Sequence, residues 1–482
     1  MIKGLLIDLP ASPKGTISLS LFNVASCISD VCEVTYLDLN FENDSNALEV
    51  YDFSSFSFAG LKVSAQNFQI AQELTHKLKS KHKLKIVWGG ELPTLLPDEC
   101  LKYADTIING LFETVAEQFS HDLANNSLKQ HYKGDNLPVS NLKPPLLSLI
   151  TDFERYNTFM GLPLETSRGC PENCTFCMVL TMQRKNYYLK SIEQFTNEID
   201  AYHNRFINII DYNFGVDSEH VIQVSSVIEK STALGWMAEM NIELLDNDEM
   251  LQAMSNSRCK MIYCGLESID EKALESVNKA RVNVVENYRR IIKKVQSYGI
   301  NVAAGLILGL EGMNEDLTKR TFQFYSEVGI IYTKLTFLTF NPGTRVKDFM
   351  SKKGVFITEE IEKYDGIHLT YLAPGMNEKE IYSVGKWYIQ NFYSIKNIVL
   401  RSLNTPLSWK KKIEFILFNI CYRAAYLDWL KYDIFEKEEN FIQLLTSHYS
   451  KPLTVKLAEK MLNYIRKSYF VNYRSKYFFN EL

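Results

Sequence analysis

Glu165-Thr166-Ser167-Arg168-Gly169-Cys170-Pro171-Glu172-Asn173-Cys174-Thr175-Phe176-Cys177 is the stretch of this 482-residue chain on which the fold turns. It spaces three cysteines as C-x3-C-x2-C. Three such thiolates can hold three irons of a four-iron four-sulfur cluster and leave the fourth iron open, whereas an electron-transfer cluster takes four cysteines. An open iron is a place for chemistry. A structural zinc site asks for four ligands from paired knuckles, and no second C-x2-C pair or Cys/His knuckle lies nearby. The other cysteines, Cys27, Cys32, Cys100, Cys259, Cys264 and Cys421, form no comparable array and read as small buried hydrophobes.

On both sides of this loop, apolar strands alternate with helical stretches, the pattern of parallel sheets wrapped by helices and hence of an α/β fold. Upstream, the apolar runs predict strands at 3–7, 33–37, 57–64, 85–88 and 106–109. Ligands of such sheets sit outside the carboxyl ends of the strands, where the loops after Ser64, Gly90 and Gly110 fall. A segment rich in Asn, Lys and Pro, 125–145, reads as a linker. Downstream, strands are predicted at 206–210, 237–242, 261–266, 301–308 and 333–340. With the strand entering Arg168 they make six units, consistent with a partial (β/α)6 barrel of the TIM type, whose chemistry gathers at the strand carboxyl ends. The domain expectation is therefore 1–145, 146–345 and a helical, aromatic-rich 346–482.

The cysteine array, with Phe176 just before its third member, resembles the radical S-adenosylmethionine (SAM) signature. That resemblance implies a cluster whose free iron chelates SAM and cleaves it to a deoxyadenosyl radical, with Cys170, Cys174 and Cys177 as the metal ligands. Gly265-Leu266-Glu267-Ser268 matches the family segment that meets the ribose and methionine portions of SAM, and a carboxylate and a hydroxyl suit the ribose diol and ammonium there. The alternative for Glu267 is a buried carboxylate paired with Arg168 or Lys260. Gly305 to Gly309 is glycine-rich on a strand, which suits backbone contact with an adenine plane. The SAM site implied by the resemblance is Phe176, Asp211, Asn213, Glu267, Ser268 and Gly309.

Val63-Ser-Ala-Gln-Asn67, Val87-Trp-Gly-Gly-Glu-Leu-Pro-Thr94 and Ala104 to Gly110 resemble the Rossmann-like cobalamin-binding domain that precedes many radical SAM domains. The implied cobalamin residues are Ser64, Asn67, Gly89, Gly90, Glu91, Thr94 and Gly110. Two departures stand out. Glu91 follows the Gly-Gly where the family often has histidine, and no Asp-x-His-x-x-Gly motif is present, so any cobalt lacks a histidine ligand. Asp211-Tyr212-Asn213-Phe214 stands where cobalamin-dependent members usually carry Asp-Asp-Asn-Phe, with Tyr212 replacing an aspartate. The run from Tyr364 through His368, Tyr382, Trp387 and Phe392 to Arg401 is similar to the C-terminal extension of a branch that includes lipid and hopanoid methylases.

The resemblance thus implies methylation of an unactivated carbon of a small molecule or lipid: one SAM methylates cobalt, a second yields the radical that abstracts hydrogen, and the carbon radical takes the methyl. Cyclisation, rearrangement or oxidation without methyl transfer shares every motif. A methylthiotransferase would need a second cluster on three N-terminal cysteines, which Cys27, Cys32 and Cys100 do not resemble. His368 and Tyr382 are the candidates for acid, base or hydrogen donor, and a flavodoxin or ferredoxin the expected electron donor. The helical region after 346 is expected to close over the barrel mouth. Net charge of −4 gives no case for nucleic acid, the first residues read as a strand rather than a secretory signal, and nine cysteines point to a reducing cytoplasm. The basic-led helix starting Trp409-Lys-Lys-Lys412, and Arg466, Lys467, Arg474 and Lys476 alternating with Tyr464, Tyr469, Phe470, Tyr473 and Tyr477, read first as a solvated face over an aromatic core, with peripheral membrane contact or an acidic partner as the alternative.

Overall fold

Two six-stranded parallel sheets carry the chain, as a computed structural model describes it over residues 2–10, 17–39, 52–135, 142–151, 161–179, 182 and 186–431, with side chains to 423. The first comprises β1 (Ile2–Asp8), β2 (Cys32–Asp38), β3 (Phe58–Lys62), β4 (Lys85–Gly89), β5 (Thr106–Asn109) and β6 (His131–Lys133), in the order β2-β1-β3-β4-β5-β6. Successive side chains leave opposite faces of a strand. Leu5, Ile7, Ala59, Leu61, Ile86 and Trp88 accordingly pack with helix Phe68–His82, while Leu6, Phe58, Val87 and Ile108 pack with helices Leu19–Ile28 and Ala116–Ala124. Both faces are covered, so the strands read as continuous apolar runs. The chain runs from β1 outward to β2 and then returns to β3 on β1's other side, the switch point where such sheets take ligands.

The second sheet comprises β7 (Leu162–Leu164), β10 (Phe206–Ile209), β11 (Gly235–Glu239), β12 (Cys259–Glu267), β13 (Asn301–Leu308) and β14 (Thr333–Phe337), all parallel and paired in chain order. Between β7 and β10 stands a small antiparallel pair, β8 (Ser167–Arg168) with β9 (Tyr188–Leu189). The first strand of this sheet is thus Leu162–Leu164, and Ser167 and Arg168 already belong to the turn toward the cysteines. The segment 125–145 is also not simply a linker, because β6 lies within it. Only Tyr132 of that strand turns inward, between exposed His131 and Lys133, so its pattern is too polar to announce a strand.

After β14 come a short antiparallel pair, β15 (Val355–Phe356) and β16 (Tyr371–Leu372), and helices Glu378–Phe392, Ile395–Leu403 and Trp409–Lys431. The first of these helices and the residue after it cover the edge of β14: the Thr333 N–H donates to Tyr393 Oη (3.1 Å), Tyr393 Oη donates back to the Thr333 carbonyl (2.9 Å), and Tyr388 Oη lies 3.1 Å from Thr333 Oγ1. An uncovered edge would invite pairing with another chain. Trp387, Tyr388 and Phe392 all meet the Phe322 ring on helix Glu315–Val328. Trp387 and Phe392 therefore glue the C-terminal helices to the flank of the second sheet instead of roofing its strand ends. Arg401, fully buried, donates to the carbonyls of Ile330 and Phe392 and to Asn419 Oδ1, with burial holding its guanidinium down at about 10. The basic and aromatic run 464–477 lies outside the described residues, among which no helix is long and apolar enough to cross a membrane.

Candidate active site

The cysteine loop begins where two strand ends clamp its root. Asp211, just past β10, is buried and takes three hydrogen bonds: from the Thr166 N–H (2.8 Å), Thr166 Oγ1 (2.6 Å) and Ser167 Oγ (2.6 Å). Burial lifts its carboxyl to about 6 against those donors. The carboxylate is occupied with holding the turn that launches the loop. Gly169 follows at φ +93°, where an added Cβ would lie 1.7 Å from the Asn186 carbonyl oxygen, so only glycine fits.

The loop is then tied across to the end of the β12 unit. Thr175 N–H donates to the Val277 carbonyl (3.0 Å), Asn278 Nδ2 to the Asn173 carbonyl (2.8 Å), and Arg281 pairs with Glu172 at 2.9 Å. These ties bring Lys279 beside the cysteines, its Nζ 5.8 Å from the Phe176 ring centroid and 3.9 Å from Glu267 Oε1. Burial works to lower the Lys279 pKa, but Glu267 and all three cysteines outweigh it and hold the ammonium above the ordinary lysine range. Burial also pushes the thiols of Cys170 and Cys174 up, with Lys279 opposing. Among the described residues no three His, Cys, Asp or Glu side chains converge on a single ion. A cluster makes no such demand, because each iron takes one thiolate.

Glu267 ends β12 at φ +65°, in the left-handed region, beside a register shift with β13. Strain of this kind persists only where the surroundings enforce it. Here two glycines supply the room: a Cβ at Gly265 would lie 2.4 Å from Glu267 Oε1, and one at Gly305 2.5 Å from Oε2. The space at Gly305 is filled by the Glu267 carboxylate and the Tyr263 hydroxyl, which replaces the expectation of adenine contact there. Glu267 pairs with neither Arg168 nor Lys260; its cation is Lys279. Burial raises its carboxyl, Lys279 and Lys334 oppose, and Glu239 adds to the rise. Ser268 is buried and accepts from the Asp270 N–H, and Gly309 closes β13 at φ +95°. Asn213 accepts from the Asn241 N–H (3.0 Å), while its buried amide nitrogen has no partner among the described residues.

Past β14, Phe337 N–H donates to the Gly366 carbonyl and so pins the loop carrying Asp365 and His368 to that strand end. Asp365 Oδ2 lies 2.9 Å from His368 Nδ1, and Oδ1 accepts from the backbone of Ile367 and His368. A carboxylate on Nδ1 fixes the imidazole's orientation and its proton. Tyr382 Oη accepts from the Leu369 N–H, with its ring edge-on to Phe337 at 5.2 Å.

A cavity of about 530 Å³ joins the carboxyl edge of the first sheet to the back of the cysteine loop, within the size range of small-molecule sites. Gly89, Gly90, Glu91, Thr94 and Gly110 line it from one side, and Glu165, Arg168, Met178, Ile210 and Tyr212 from the other. Thr94 Oγ1 donates to the Gly90 carbonyl (2.7 Å) and accepts from the Gly110 N–H (3.0 Å), which locks the two glycine loops together. Ser64 and Asn67 are not among the lining residues. They cap each other at the root of helix Phe68–His82, where the Ser64 N–H donates to Asn67 Oδ1 (2.8 Å) and Asn67 Nδ2 to the Lys62 carbonyl. Those two residues are thus committed to the backbone, as a capping box commits them.

Glu91 and Tyr212 face this cavity from opposite sides with no hydrogen bond or ion pair among the described residues. Burial raises the Glu91 carboxyl, with Lys62 opposing. Tyr212 opens to the cavity but lies deep in the fold; depth, then Glu165 and Glu91, push its phenol up to about 12. Arg168 spans the two units, bidentate to Glu165 (2.7 and 2.9 Å) and 3.1 Å from Glu113, which follows β5. Burial opposes its charge, yet the two carboxylates hold it above the ordinary arginine range. Cys27, Cys32 and Cys100 sit on separate elements of the first unit, the first helix, β2 and helix Pro97–Cys100, with their thiols raised by burial to about 11, 11 and 12.

Sequence reasoning passed over Lys279, Glu239, Lys334 and Glu113. A carboxylate ending the apolar run Trp236-Met-Ala-Glu239 and a lysine inside strand Thr333–Phe337 were signals available to it. Lys279 and Glu113 gave none, since charged residues in loops are ordinarily solvated.

Residues 164–325 match the Radical SAM superfamily. The bacteriochlorophyllide d C-12(1)-methyltransferase of Chlorobaculum tepidum is 24% identical over 416 residues, covering 83% of this chain and 87% of its own. Among solved structures, the cobalamin-dependent S-adenosylmethionine radical enzyme OxsB, with aqua-cobalamin and S-adenosylmethionine bound, has a TM-score of 0.66 at 13% identity over 99% of this chain and 80% of its own. The radical S-adenosylmethionine methyltransferase TsrM from Kitasatospora setae, with tryptophan substrate and a SAM analog bound, has a TM-score of 0.65 at 12% identity over 89% of this chain and 100% of its own. These two structures bear on the fold, which is shared along nearly the whole chain.

Proposed function

We propose that this chain, whose residues 164–325 form a radical SAM domain, is a cobalamin-dependent radical SAM enzyme that methylates an unactivated carbon of a small molecule or lipid. One observation carries the reading: a single cavity runs from the glycine-edged strand ends of the first sheet to Met178 and Tyr212, directly behind the cysteine loop. A cofactor lying there meets both units. In this reading 1–145 is a Rossmann-like cobalamin domain with its linker, 146–345 a partial (β/α)6 barrel and 346–482 a helical region contributing to the substrate site.

The residues suit each group. Cys170, Cys174 and Cys177 supply three thiolates, and Lys279 offsets their charge. The unpartnered amide of Asn213, the Glu267 carboxylate and the Ser268–Gly309 strand ends suit a ligand with donors, acceptors and a flat ring. Gly89, Gly90, Thr94 and Gly110 form a smooth edge that would hold cobalamin, with Glu91 and Lys62 beside it, and among the described residues no histidine lines the cavity. When bound, the cluster with SAM supplies hydrogen abstraction and cobalamin supplies the methyl group. The chain's own work is alignment and exclusion of water: Asp211 and Arg168 fix the loop's root, Tyr212 stands between cavity and cysteines, and Asp365 holds His368 where it can keep or pass a proton. Electrons come from a flavodoxin or ferredoxin class donor in a reducing cytoplasm.

Anaerobic reconstitution with iron, sulfide, SAM and hydroxocobalamin tests this. Reduced protein is expected to form both deoxyadenosine and S-adenosylhomocysteine and to shift the cobalamin spectrum. A protein that ignores saturating hydroxocobalamin sinks the methyltransferase reading. Deoxyadenosine without S-adenosylhomocysteine would instead favour radical rearrangement.

A further inference from the structure

Six of the eleven large apolar side chains that stand exposed among the described residues fall within the nineteen positions 395–413. On helix Ile395–Leu403, residues Ile395, Val399 and Leu403 lie four apart and so share one face, with Leu400 beside them. The opposite face is the buried one, carrying Ile398, Arg401 and Ser402. Trp409 and Ile413, four apart and also exposed, stand on the helix packed beside it, Trp409–Lys431. The exposure is not marginal: Ile395 is 53% exposed, Leu403 61% and Trp409 68%. Contiguous apolar surface of this kind marks a place of contact.

Charge narrows the kind of contact. Positions 395–413 hold no aspartate or glutamate, in a chain whose net charge is −4, but five cations. Arg401 is buried and Lys411 turns inward to the Gly299 carbonyl (2.7 Å), which leaves Lys396, Lys410 and Lys412 around the apolar face. Lys293 donates to the Asn404 carbonyl beside them. Burial and then Arg289 and Lys412 lower its ammonium, a sign of local positive potential. Protein interfaces are poor in lysine, whereas an apolar face rimmed by lysines is what an interfacial helix offers to acyl chains and acidic headgroups. Lysine stems also lie along apolar surface while their ammoniums stay in water.

We propose that the Ile395–Val399–Leu403 face, with Trp409 and Ile413 and its rim of Lys396, Lys410 and Lys412, seats the protein on the surface of an anionic lipid bilayer. The inference is independent of the catalytic reading and needs no cofactor. It is tested with the full chain by flotation with vesicles of phosphatidylcholine alone and of phosphatidylcholine with phosphatidylglycerol. Binding is expected only to the anionic vesicles and to weaken with added salt. In the double variant Leu403→Ser, Trp409→Ser it should fall about a hundredfold, from two lost apolar anchors, with the melting temperature unchanged. Lys396→Glu with Lys410→Glu should weaken binding without touching the apolar face. Four results would overturn the proposal: no binding to anionic vesicles, equal binding by the Leu403/Trp409 variant, a wild-type dimer that this variant dissociates, or a Trp409 already shielded from iodide in the free protein, which would mean that the chain covers the face itself.

Discussion

The two sheets are built alike and finished differently. Both are six parallel strands with helices packed against them, and residues near strand ends of both line one cavity. At the second sheet those ends carry charge in close quarters: Glu267 and Lys279 at 3.9 Å, with Glu239 and Lys334 in electrostatic reach and Asp211 beneath. At the first sheet the edge that lines the cavity carries Gly89, Gly90, Thr94 and Gly110 with Lys62 and Glu91 as charged neighbours, while Asp8 and Asp38, which end β1 and β2, are not among the lining residues. A group whose bonds break needs preorganised charges around it. A large flat ligand first needs an edge without protruding side chains. The same scaffold therefore yields a reactive site or a berth according to what ends each strand.

The comparison breaks most sharply if the sites are not separable. Cys174→Ala should abolish the iron-sulfur absorbance and deoxyadenosine formation while hydroxocobalamin still binds; Cys264→Ala, buried in the core of the second sheet, should keep the cluster. Loss of cobalamin binding in Cys174→Ala would mean that the two strand-end sites act as one. A smaller effect is expected at Gly305, where the added Cβ meets Glu267 and Tyr263. Gly305→Ala should weaken SAM binding to the reconstituted protein by about tenfold or more, measured calorimetrically, and leave cobalamin affinity alone. Unchanged SAM affinity would remove Glu267 from the site.

The least effect on catalysis belongs to Asp8, at the end of β1. Its carboxylate accepts from the Ser18 N–H and Tyr36 Oη, and burial lifts it to about 7, with Lys62 opposing and Asp38 adding to the rise. Because the folded pKa is raised, the native state keeps a proton that the unfolded chain has already lost. Stability should decline as pH rises from the ordinary aspartate range to about 7, then level off. Melting temperatures from pH 5 to 8 should show that slope in the wild type and a flatter one in Asp8→Asn. Parallel slopes would place the pH response elsewhere.

Much of this division was legible in residues. Strands buried on both faces leave unbroken apolar runs, so β1 to β5 and β10 to β14 were readable to within a few positions, and a cluster loop needs its cysteines in one short stretch. What stayed hidden depends on contacts distant in sequence. Lys279 lies 102 positions beyond Cys177, and only the ties from Thr175 and Asn278 bring them together. Asp211 entered the expected SAM site through the resemblance of Asp211-Tyr-Asn-Phe to a family motif; its hydrogen-bond partners Thr166 and Ser167 lie 45 and 44 residues upstream, where no local pattern shows them. The capping bonds of Ser64 and Asn67 were hidden for a related reason, since cap and ligand residues have the same chemistry. The helical region carrying Trp387 and Phe392 was expected over the strand ends, but aromatic residues fill helix seams equally well, as both rings do against Phe322.

Arg168 has a consequence for how such proteins can be recombined. It stands two residues before Cys170, yet one of its carboxylates, Glu113, is supplied by the first sheet. A chimera that grafts a foreign first unit onto this second sheet would leave the buried Arg168 with Glu165 as its remaining carboxylate partner, unless the donor brings an acid to the Glu113 position. The two halves are in this sense co-inherited: the seam between them can be cut in the gene, but a transplant succeeds only when the graft carries the matching charge.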